Sequence, residues 1–465
     1  MVLVLATLVS KTFLNIGISP RKRVKMKLGK RILTGILAGA MTLGALTGCK
    51  ASVNTGSAKR EATKTADGKI EIEFWFAGGK TAVKVIQGIV DDYNKSQDKY
   101  YVKAVVQADY DETYQKLQAS IAGNVAPDVA LIEVVPTYNL ATKGLLTDLT
   151  DTIANDSEFD KDDYINVFME QGMADGKNYA LPAYGTTQVF YYNRALFEKA
   201  GVKEEDIKTW NDLNNAYDKV KAAGGTYVWE PMWGPDNLVD VSLSNGAKLL
   251  SDDGKTVLIN SPEWVEVWDS FGKWINTDKT MAIHSGGEGW EYWYSTMDDA
   301  VNGVAGGYTG SSGDQADLDF SVVAAVEQPA WKDGTVATPT AESKNLVSIN
   351  ASSDEEKAGA YDFMKFFTNP ENQANWSINT GYVPVRSSAK DTESYKAYSS
   401  EHPEILVPLA QSQHATVAPI DPTGGAIYDA LKTAADKVEI EGVPAKEALD
   451  EACKTAQAAL DKINK

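Results

Sequence analysis

Histidines and paired carboxylates are the side chains of this 465-residue chain that could support catalysis. The only histidines are His284, His402 and His414, and none lies at a metal-binding spacing from another, so we predict no metal site. Adjacent carboxylates occur at Asp162-Asp163, Asp252-Asp253 and Asp298-Asp299. Their positions are typical of solvated helix starts and turns, although a glycoside hydrolase with two catalytic carboxylates remains an alternative. Neither a Gly-x-Ser-x-Gly elbow nor a phosphate loop occurs, so we predict no catalytic residue and no cofactor.

Aromatic side chains form the second chemically useful set, because their faces can lie on the apolar surfaces of a ligand. The chain has 11 Trp and 21 Tyr. Trp264, Trp268, Phe271 and Ile275 recur at helical spacing, which is typical of a core stripe. Other aromatic residues lie near Gly and Pro, where loops are predicted: Trp229, Trp233, Trp290, Tyr292, Trp293 and Tyr294. Because binding residues are often carried on loops, Trp229, Trp233 and Trp290 are candidate ligand-binding residues.

An export signal is predicted near the beginning of the chain. Basic residues follow Met26, a short apolar stretch comes next, and small residues precede Cys49, as in a secretory signal peptide. The apolar stretch is shorter than the roughly 20 residues that a transmembrane helix needs. The string ending in Cys49 resembles the bacterial lipobox, whose thiol is lipidated; an ordinary signal peptide is the alternative. We predict a signal peptide over 1–48, within which Met26 is the expected true start of translation. A lipidated flexible tether is predicted over 49–68.

Charge and cysteine content exclude two classes of protein. Residues 1–48 hold eight Lys and Arg and no acid, so removing these eight positive charges lowers the formal net charge from −19 to −27. An exterior this acidic argues against nucleic-acid binding, which depends on clustered Lys and Arg. Cys453 is the only cysteine besides Cys49, so a disulfide framework is excluded and a hydrophobic core must supply the stability.

Apolar periodicity predicts an α/β fold with a mostly parallel sheet and helices on both of its faces. Strands are predicted at 70–76, 102–106, 129–135, 184–192 and 345–349. Asp175-Gly176 predicts a hairpin whose second strand ends at Pro182. Helices are predicted from Asn193 to Gly201, from Thr209 to Gly224, over 355–367 and, near the end of the chain, over 429–440 and 445–463.

Short strings recur in a specific order between about residue 70 and residue 390. They are Glu73-Phe74-Trp75, Leu117 to Gly123, Ala126-Pro127-Asp128, Tyr179-Ala180-Leu181-Pro182, Tyr191-Tyr192-Asn193-Arg194, Asn302-Gly303-Val304-Ala305, Asn369-Pro370-Glu371-Asn372 and Thr380-Gly381-Tyr382-Val383-Pro384. In this order they resemble the extracellular solute-binding proteins of ABC importers for sugars and related solutes, in particular the glycerol-3-phosphate-binding branch. The resemblance implies a two-lobed periplasmic-binding-protein-like fold, with a hinge and a ligand cleft between the lobes. It divides the chain into 69–183 plus 335–384 and 184–334 plus 385–465.

The resemblance also implies ligand-binding residues in the first lobe. Glu133 stands where this branch has a hydroxyl-binding carboxylate, although a solvated acid at the end of a strand is the alternative. Tyr110 or Tyr114 supplies an aromatic ring, and Tyr114 could instead pack inside its helix. Tyr382, in the Thr-Gly-Tyr-Val-Pro string, is the most specific of these site residues.

At the hinge and in the second lobe the resemblance implies several small hydroxylated residues and one tryptophan. Thr186 and Thr187 fall where the branch uses such side chains at the hinge. Ser311 and Ser312 match a serine pair that faces the cleft, with an ordinary flexible loop as the alternative. Trp229 or Trp233 is the expected second-lobe stacking residue.

The ligand and partners implied by the resemblance are a sugar or oligosaccharide and the permease subunits of an ABC importer. We expect a monomer held by its lipid anchor on the outer face of the cytoplasmic membrane; a sensor that feeds a signalling receptor is the alternative. Where the branch has an arginine on its late helix, this chain has Tyr428, and beyond Cys49 its arginines are Arg60, Arg194 and Arg386. Because arginine is the preferred partner of phosphate groups, we predict an uncharged ligand.

Overall fold

The computed structural model describes residues 61–287 and 291–463. Its strands are β1 (Ile70–Phe76), β2 (Tyr100–Val106), β3 (Val129–Ile132), β4 (Met173–Ala174), β5 (Lys177–Asn178), β6 (Ala180–Asn193), β7 (Glu230–Pro231), β8 (Gly307–Ser311), β9 (Val323–Val326), β10 (Thr340–Ser348) and β11 (Thr416–Val417). The predicted strands at 70–76, 102–106 and 345–349 are therefore present. The strand expected over 129–135 stops at Ile132, because Val134 already begins a helix that Glu133 precedes as its N-cap residue.

Helices cover most of the remaining chain. They are α1 (Lys80–Ser96), α2 (Tyr110–Ala122), α3 (Val134–Ala141), α4 (Thr150–Asn155), α5 (Asn166–Met169), α6 (Arg194–Ala200), α7 (Trp210–Asn215), α8 (Tyr217–Ala223), α9 (Pro235–Ser244), α10 (Pro262–Gly272), α11 (Glu291–Val301), α12 (Asp354–Phe367), α13 (Pro370–Thr380), α14 (Glu393–Glu401), α15 (Leu406–Ser412), α16 (Ala426–Glu439) and α17 (Ala445–Ile463). As predicted, the Asn193 side chain caps α6 and Gly201 ends it with a φ of 63°. Thr209 caps α7 with a capping box, but Ala216 separates α7 from α8 where one helix was expected.

One mixed sheet forms the framework. Its strands lie in the order β2, β1, β3, β10, β6, β8, β7, with β11 beside β10 and β9 beside β6. β1 pairs in parallel with β2 and β3, as expected for the first part of the chain. The strands β6, β8, β9 and β10 pair antiparallel with one another or with β3, so the sheet is less parallel than predicted.

The long strand β6 runs through both halves of this sheet. Its first part, Ala180 to Thr187, pairs with β10, and its second part, from Gln188, pairs with β8 and β9. The predicted end at Pro182 is wrong. The register between β6 and β10 shifts at Lys344/Asn345, where Ala183 is the extra residue, and this bulge accommodates a proline that cannot donate to the ladder.

Two large apolar cores flank the sheet, one on either side of the midpoint of β6. The first core contains Phe74, Phe168, Phe363 and Trp376, and the second contains Trp229 together with the predicted stripe on α10. On β3 alternate residues face opposite sides, since Val129 and Leu131 pack in the first core while Ala130 and Ile132 pack in a smaller cluster behind the sheet. Helices therefore cover both faces, and the predicted two-lobed α/β fold is confirmed.

The lobe boundaries differ in part from those expected. Val385 and Leu409 pack in the first core, so the assignment of all of 385–465 to the second lobe is not what the packing shows. At the other end, the tether was predicted to reach residue 68, but Thr63 donates its N–H to Glu356 Oε1 at 3.0 Å and Lys64 bridges to Ile70. The predicted signal peptide and Cys49 lie outside the described residues. Within 61–287 and 291–463, no helix has both the length and the apolar character needed to cross a membrane.

Candidate ligand-binding cleft

The point where β6 passes from one core to the other is held by buried amide side chains. Gln411 donates to the Thr187 hydroxyl at 2.9 Å and to the carbonyl of Gln188 at 2.7 Å. Gln328 donates to the same Gln188 carbonyl at 2.9 Å. Thr187 in turn donates its hydroxyl to the Thr340 carbonyl of β10. Backbone groups that leave the ladder here are thus satisfied by side chains, which lets β6 change partner without losing hydrogen bonds.

A cavity of about 360 Å³ opens beside this crossing point. The described residues that line it are Thr186, Thr187, Gln188, Asp236, Val239, Leu249, Trp293, Ser311, Thr340, Glu342, Ala418, Pro419, Asp421, Ile427, Tyr428 and Leu431. They come from β6, β8, β10, α9, α11 and α16, from the loop that follows α9 and from the loop that precedes α16. A cavity that combines apolar walls with a few directed polar groups is the usual form of a small-molecule site.

Three carboxyl groups supply the charged part of the lining of this cavity. Asp236, Glu342 and Asp421 all face it, and Asp236 accepts a hydrogen bond from the Tyr428 hydroxyl. Glu342 reaches solvent within the cavity and has no side-chain hydrogen-bond partner among the described residues. Enclosure by protein raises the pKa of Glu342 above its ordinary value, and it also raises the pKa of Asp236. The site therefore offers hydrogen-bond acceptors and disfavours further negative charge.

The predicted hydroxyl residues meet where the two halves of the sheet join. The Thr186 hydroxyl lies 3.2 Å from the Ser311 hydroxyl and 3.3 Å from the Ser312 hydroxyl. Thr186, Thr187 and Ser311 line the cavity, whereas Ser312 is fully buried behind it. The position expected at the hinge for Thr186 and the position expected in the cleft for Ser311 thus adjoin each other, whereas Ser312 is a buried partner of Thr186.

Two predicted site residues, Tyr110 and Glu133, form a cluster next to the cavity with Tyr184 and Lys344. These four residues are here called the tyrosine–lysine cluster. Lys344 pairs with Glu133 at 2.6 Å, and its ammonium group lies 5.1 Å from the centre of the Tyr110 ring. The hydroxyls of Tyr110 and Tyr184 are hydrogen-bonded to each other. In the antiparallel ladder Tyr184 is opposite Lys344 and Thr186 is opposite Glu342, so the cluster and the cavity share one face of the sheet.

Tyr382 adjoins this cluster rather than the cavity itself. Its ring centre lies 5.3 Å from that of Tyr184 and 6.4 Å from that of Trp376, and the ring covers Gly313 so closely that an added Cβ would stand 2.9 Å from it. Tyr114 is half-buried and packs with the small cluster behind the sheet, which is the alternative that the sequence left open.

Trp229 is not a ligand-binding residue. Its side chain has no exposed surface, stacks on Phe190 with 3.5 Å between ring centres and donates its indole N–H to the Thr309 hydroxyl at 3.0 Å. Trp233 is half-buried and donates to Asp436 at 2.8 Å, so its polar edge already has a partner. Trp290 lies outside the described residues.

Trp293 and Tyr428 are the aromatic residues among those that line the cavity, and neither was selected from the sequence as a ligand-binding residue. Trp293 lies in the first turn of α11, not in a loop, and its indole N–H donates to Asp314 Oδ1 at 3.1 Å. Trp293 belongs to the same aromatic run as Trp290, so the aromatic content of this segment indicated the region of the site but not the residue. Asp236, Glu342, Asp421 and Tyr428 were likewise not selected as contacts, because only the folded chain brings them together.

Both arginines of the described part of the chain are paired elsewhere. Arg194 contacts Glu404 at 2.5 Å, and Arg386 contacts Asp163 at 2.5 Å and stacks over Tyr164. Neither lines the cavity. Lys344, the cation of the tyrosine–lysine cluster, is itself paired with Glu133.

Comparison with known proteins finds solute-binding proteins both by sequence and by structure. The crystal structure of UgpB from Mycobacterium tuberculosis in complex with glycerophosphocholine superposes with a TM-score of 0.72 at 22% identity, covering 86% of this chain and all of that one. The arabinooligosaccharide-binding protein of Bacillus subtilis (strain 168) is 28% identical over 73% of this chain and 77% of its own length. The sn-glycerol-3-phosphate-binding periplasmic protein UgpB of Rhizobium meliloti (strain 1021) is 24% identical over 74% of this chain and 82% of its own. Residues 88–403, well over half of the sequence, match the family described as bacterial extracellular solute-binding protein, and the chain therefore belongs to that family.

Proposed function

We propose that this protein captures an uncharged oligosaccharide outside the cell and delivers it to the permease of an ABC importer. The observation that carries the proposal is the lining of the cavity, where Asp236, Glu342 and Asp421 stand with Trp293, Tyr428 and small hydroxyl groups. Sugar hydroxyls are donors that carboxylates accept from, and the C–H faces of a sugar ring lie well on an aromatic ring. Each kind of group in the cavity has a counterpart on such a ligand.

The charge balance separates a neutral sugar from a glycerophosphate. A buried phosphate needs charge-assisted donors, of which bidentate arginine is the strongest. Among the described residues, Arg194 and Arg386 are engaged in ion pairs away from the cavity, and Lys344 is paired with Glu133. Lys432 and Lys344 act electrostatically on Asp236 and Glu342, but neither lysine lines the cavity, so its three carboxyl groups would repel an anion at short range, where salt screens poorly. The glycerophosphate ligands named for two of the relatives are therefore not proposed for this chain.

Closure around the ligand supplies the signal for delivery. Residues of the cavity belong to elements of both halves of the sheet, so a bound sugar would contact both lobes at once. A closed state gains population only through contacts that the open state lacks. We propose that β6, which passes between the two cores at Thr187-Gln188, is one of the hinge segments.

Calorimetric titration tests the proposal directly. The purified chain is titrated with arabino- and malto-oligosaccharides, and with sn-glycerol 3-phosphate and glycerophosphocholine at the same concentrations. We expect saturable 1:1 binding of at least one neutral oligosaccharide and none of the phosphorylated compounds. Tight binding confined to the phosphorylated compounds would contradict the proposal.

The same complex tests for catalysis. We propose that the protein is a receptor and not an enzyme, in keeping with the binding-protein names of its relatives. Chromatography of the oligosaccharide after long incubation should recover it intact and in stoichiometric amount. New, shorter products would favour the glycoside hydrolase alternative.

The lipid anchor and the transporter are further parts of the proposal. Cys49, outside the described residues, would hold the receptor on the outer face of the cytoplasmic membrane, and two or more acyl chains give stable attachment where one does not. Cys49→Ala should release the protein into the medium, whereas Cys453→Ala should not. Membrane retention of Cys49→Ala, with an unlipidated N-terminus in mass spectrometry, would contradict this part.

A further inference from the structure

A second polar site lies in the lobe that contains Trp229, where three side chains distant in sequence converge. Glu230 is on β7, His284 follows the segment that bridges to Trp229, and Asp299 is near the end of α11. One ligand atom from each of them lies within 4.8 Å of the other two. The His284 Nε2 is 2.9 Å from Asp299 Oδ2 and 3.7 Å from Glu230 Oε2.

The carboxyl group of Glu230 is buried, and a bound cation would offset the free-energy cost of that burial. Its side chain is 0% exposed, and within 61–287 and 291–463 neither carboxyl oxygen has a hydrogen-bond partner by distance and angle. A buried carboxylate without partners is costly, so such a group is usually protonated, paired or bound to a metal. Glu230 faces His284 and Asp299, whose side chains are 39% and 26% exposed, so an ion could enter from their side.

From this arrangement we propose that Glu230, His284 and Asp299 form a binding site for a divalent transition metal of the zinc type. One imidazole nitrogen and two carboxylate oxygens are donors that Zn²⁺ accepts at about 2.0 to 2.2 Å, with a fourth position left for water. Tetrahedral geometry at those bond lengths separates ligand atoms by about 3.3 to 3.6 Å. The observed separations of 2.9 Å and 3.7 Å lie on either side of that range. Ca²⁺ fits less well, because it takes six to eight oxygen ligands.

The ion would join three elements of this lobe. It would link the sheet at β7 to the segment at His284 and to α11, the helix whose first turn carries Trp293 into the cavity. Because metal binding to the folded state stabilises it by mass action, the site would strengthen the scaffold whatever solute the cavity takes.

The test uses the full chain after treatment with EDTA and dialysis. Calorimetry with ZnCl2 should give one ion per chain and thermal unfolding should move upwards, and CoCl2 should give the visible absorption of a tetrahedral site. His284→Asn and Asp299→Asn should each weaken zinc binding at least about 100-fold, since even residues that only support metal ligands often matter 10- to 100-fold. His414→Asn is the matched control, because His414 pairs with Glu327 at 2.6 Å and belongs to no such three-ligand group in the described part of the chain.

Two results would overturn the proposal. One is a wild-type chain that binds neither ion stoichiometrically. The other is zinc binding that His284→Asn leaves unchanged while Glu230→Gln unfolds at the wild-type temperature with zinc present, which would identify Glu230 as a protonated partner of Asp299. Since the readouts do not use the solute, failure here leaves the proposed receptor function untouched.

Discussion

The tyrosine–lysine cluster and the cavity lie on one face of the sheet beside the crossing point of β6, but they differ in how far their polar groups are paired within the protein. In the tyrosine–lysine cluster each polar group has a partner within the protein, as Lys344 has Glu133 and Tyr110 has Tyr184. In the cavity, Glu342 faces solvent without a side-chain hydrogen-bond partner among the described residues, whereas Asp421 and Asp236 accept hydrogen bonds from the protein. The difference indicates which region is framework and which is available to a ligand, because a pre-paired group must first lose its partner before it can bind anything else.

This contrast predicts that changes on the cluster side should reduce stability and changes in the cavity should reduce affinity. The largest expected effect is on stability and concerns Gly185, which faces the opposite side of β6 from the cluster and the cavity. It lies between Tyr184 and Thr186 on β6, and an added Cβ would stand 2.1 Å from the ring of Phe168, which is fully buried in the first core. Gly185→Ala should lower the free energy of unfolding by about 3 kcal/mol, as overpacking of a filled core does.

Thermal and urea unfolding measure this loss, with Gly88→Ala as the matched control. Gly88 is an exposed position of α1 where an added Cβ would contact nothing within 4 Å. Alanine there should be neutral or slightly stabilising, because it has the higher helix propensity. Equal stability of the two variants would show that the first core is not packed as described.

The next largest effect is expected for Trp293. Trp293→Ala should weaken oligosaccharide binding by about 2 kcal/mol, or roughly 30-fold, because it removes one of the two aromatic side chains that line the cavity. Tyr294→Ala is the control, since Tyr294 is the next residue of α11 and is largely exposed outside the cavity lining. Calorimetric titration of both variants decides between them, and equal affinities would remove Trp293 from the site.

A smaller effect is expected for a carboxyl group of the cavity. Glu342→Gln replaces a charged acceptor by a neutral one and should reduce sugar affinity about tenfold, since hydrogen bonds to charged groups are the stronger ones. Unfolding should change little. Glu198→Gln, an exposed position on α6, should leave the affinity unchanged. A Glu342→Gln variant that binds the sugar as well as wild type would weaken the contrast between the two regions.

How far the sequence could lead depended on whether the deciding interaction was local. The cap at Asn193, the left-handed Gly201 and the stripe of Trp264 and Trp268 follow from spacings within one helix, and the structure has them all. Pro182 seemed to end a strand because proline lacks an N–H. The bulge that accommodates it is set by β10, more than 150 residues later.

Candidate site residues followed the same rule. Thr186 and Ser311 were selected because a family pattern identifies their positions, and both line the cavity. Trp229 was wrongly selected because the sequence cannot tell which face of an extended segment meets the core; Phe190 decides that by stacking on it. The group of Glu230, His284 and Asp299 was invisible, since no two of its members are close enough in sequence to form a metal-binding motif.

The smallest expected effect is a pH dependence at Asp314, which connects the cavity to the turn covered by Tyr382. Asp314 accepts hydrogen bonds from Trp293 and from the Tyr308 hydroxyl, yet burial outweighs these and raises its pKa to about 7. An ordinary aspartate in the unfolded chain ionises near pH 3.9. Between those values the folded state retains a proton that the unfolded state has released, so the contribution to stability is complete below about pH 4 and is lost as pH rises through 7. Between pH 6 and pH 8 the loss should be about 1 kcal/mol.

Asp314→Asn should remove this slope and keep the fold, because the amide oxygen can accept from Trp293 while its NH2 group donates to the Tyr308 hydroxyl. Asp317→Asn, at an exposed position of the same segment, should retain the wild-type slope. If urea unfolding of wild type and Asp314→Asn shows the same dependence between pH 6 and pH 8, Asp314 is ionised throughout and its burial does not control its charge.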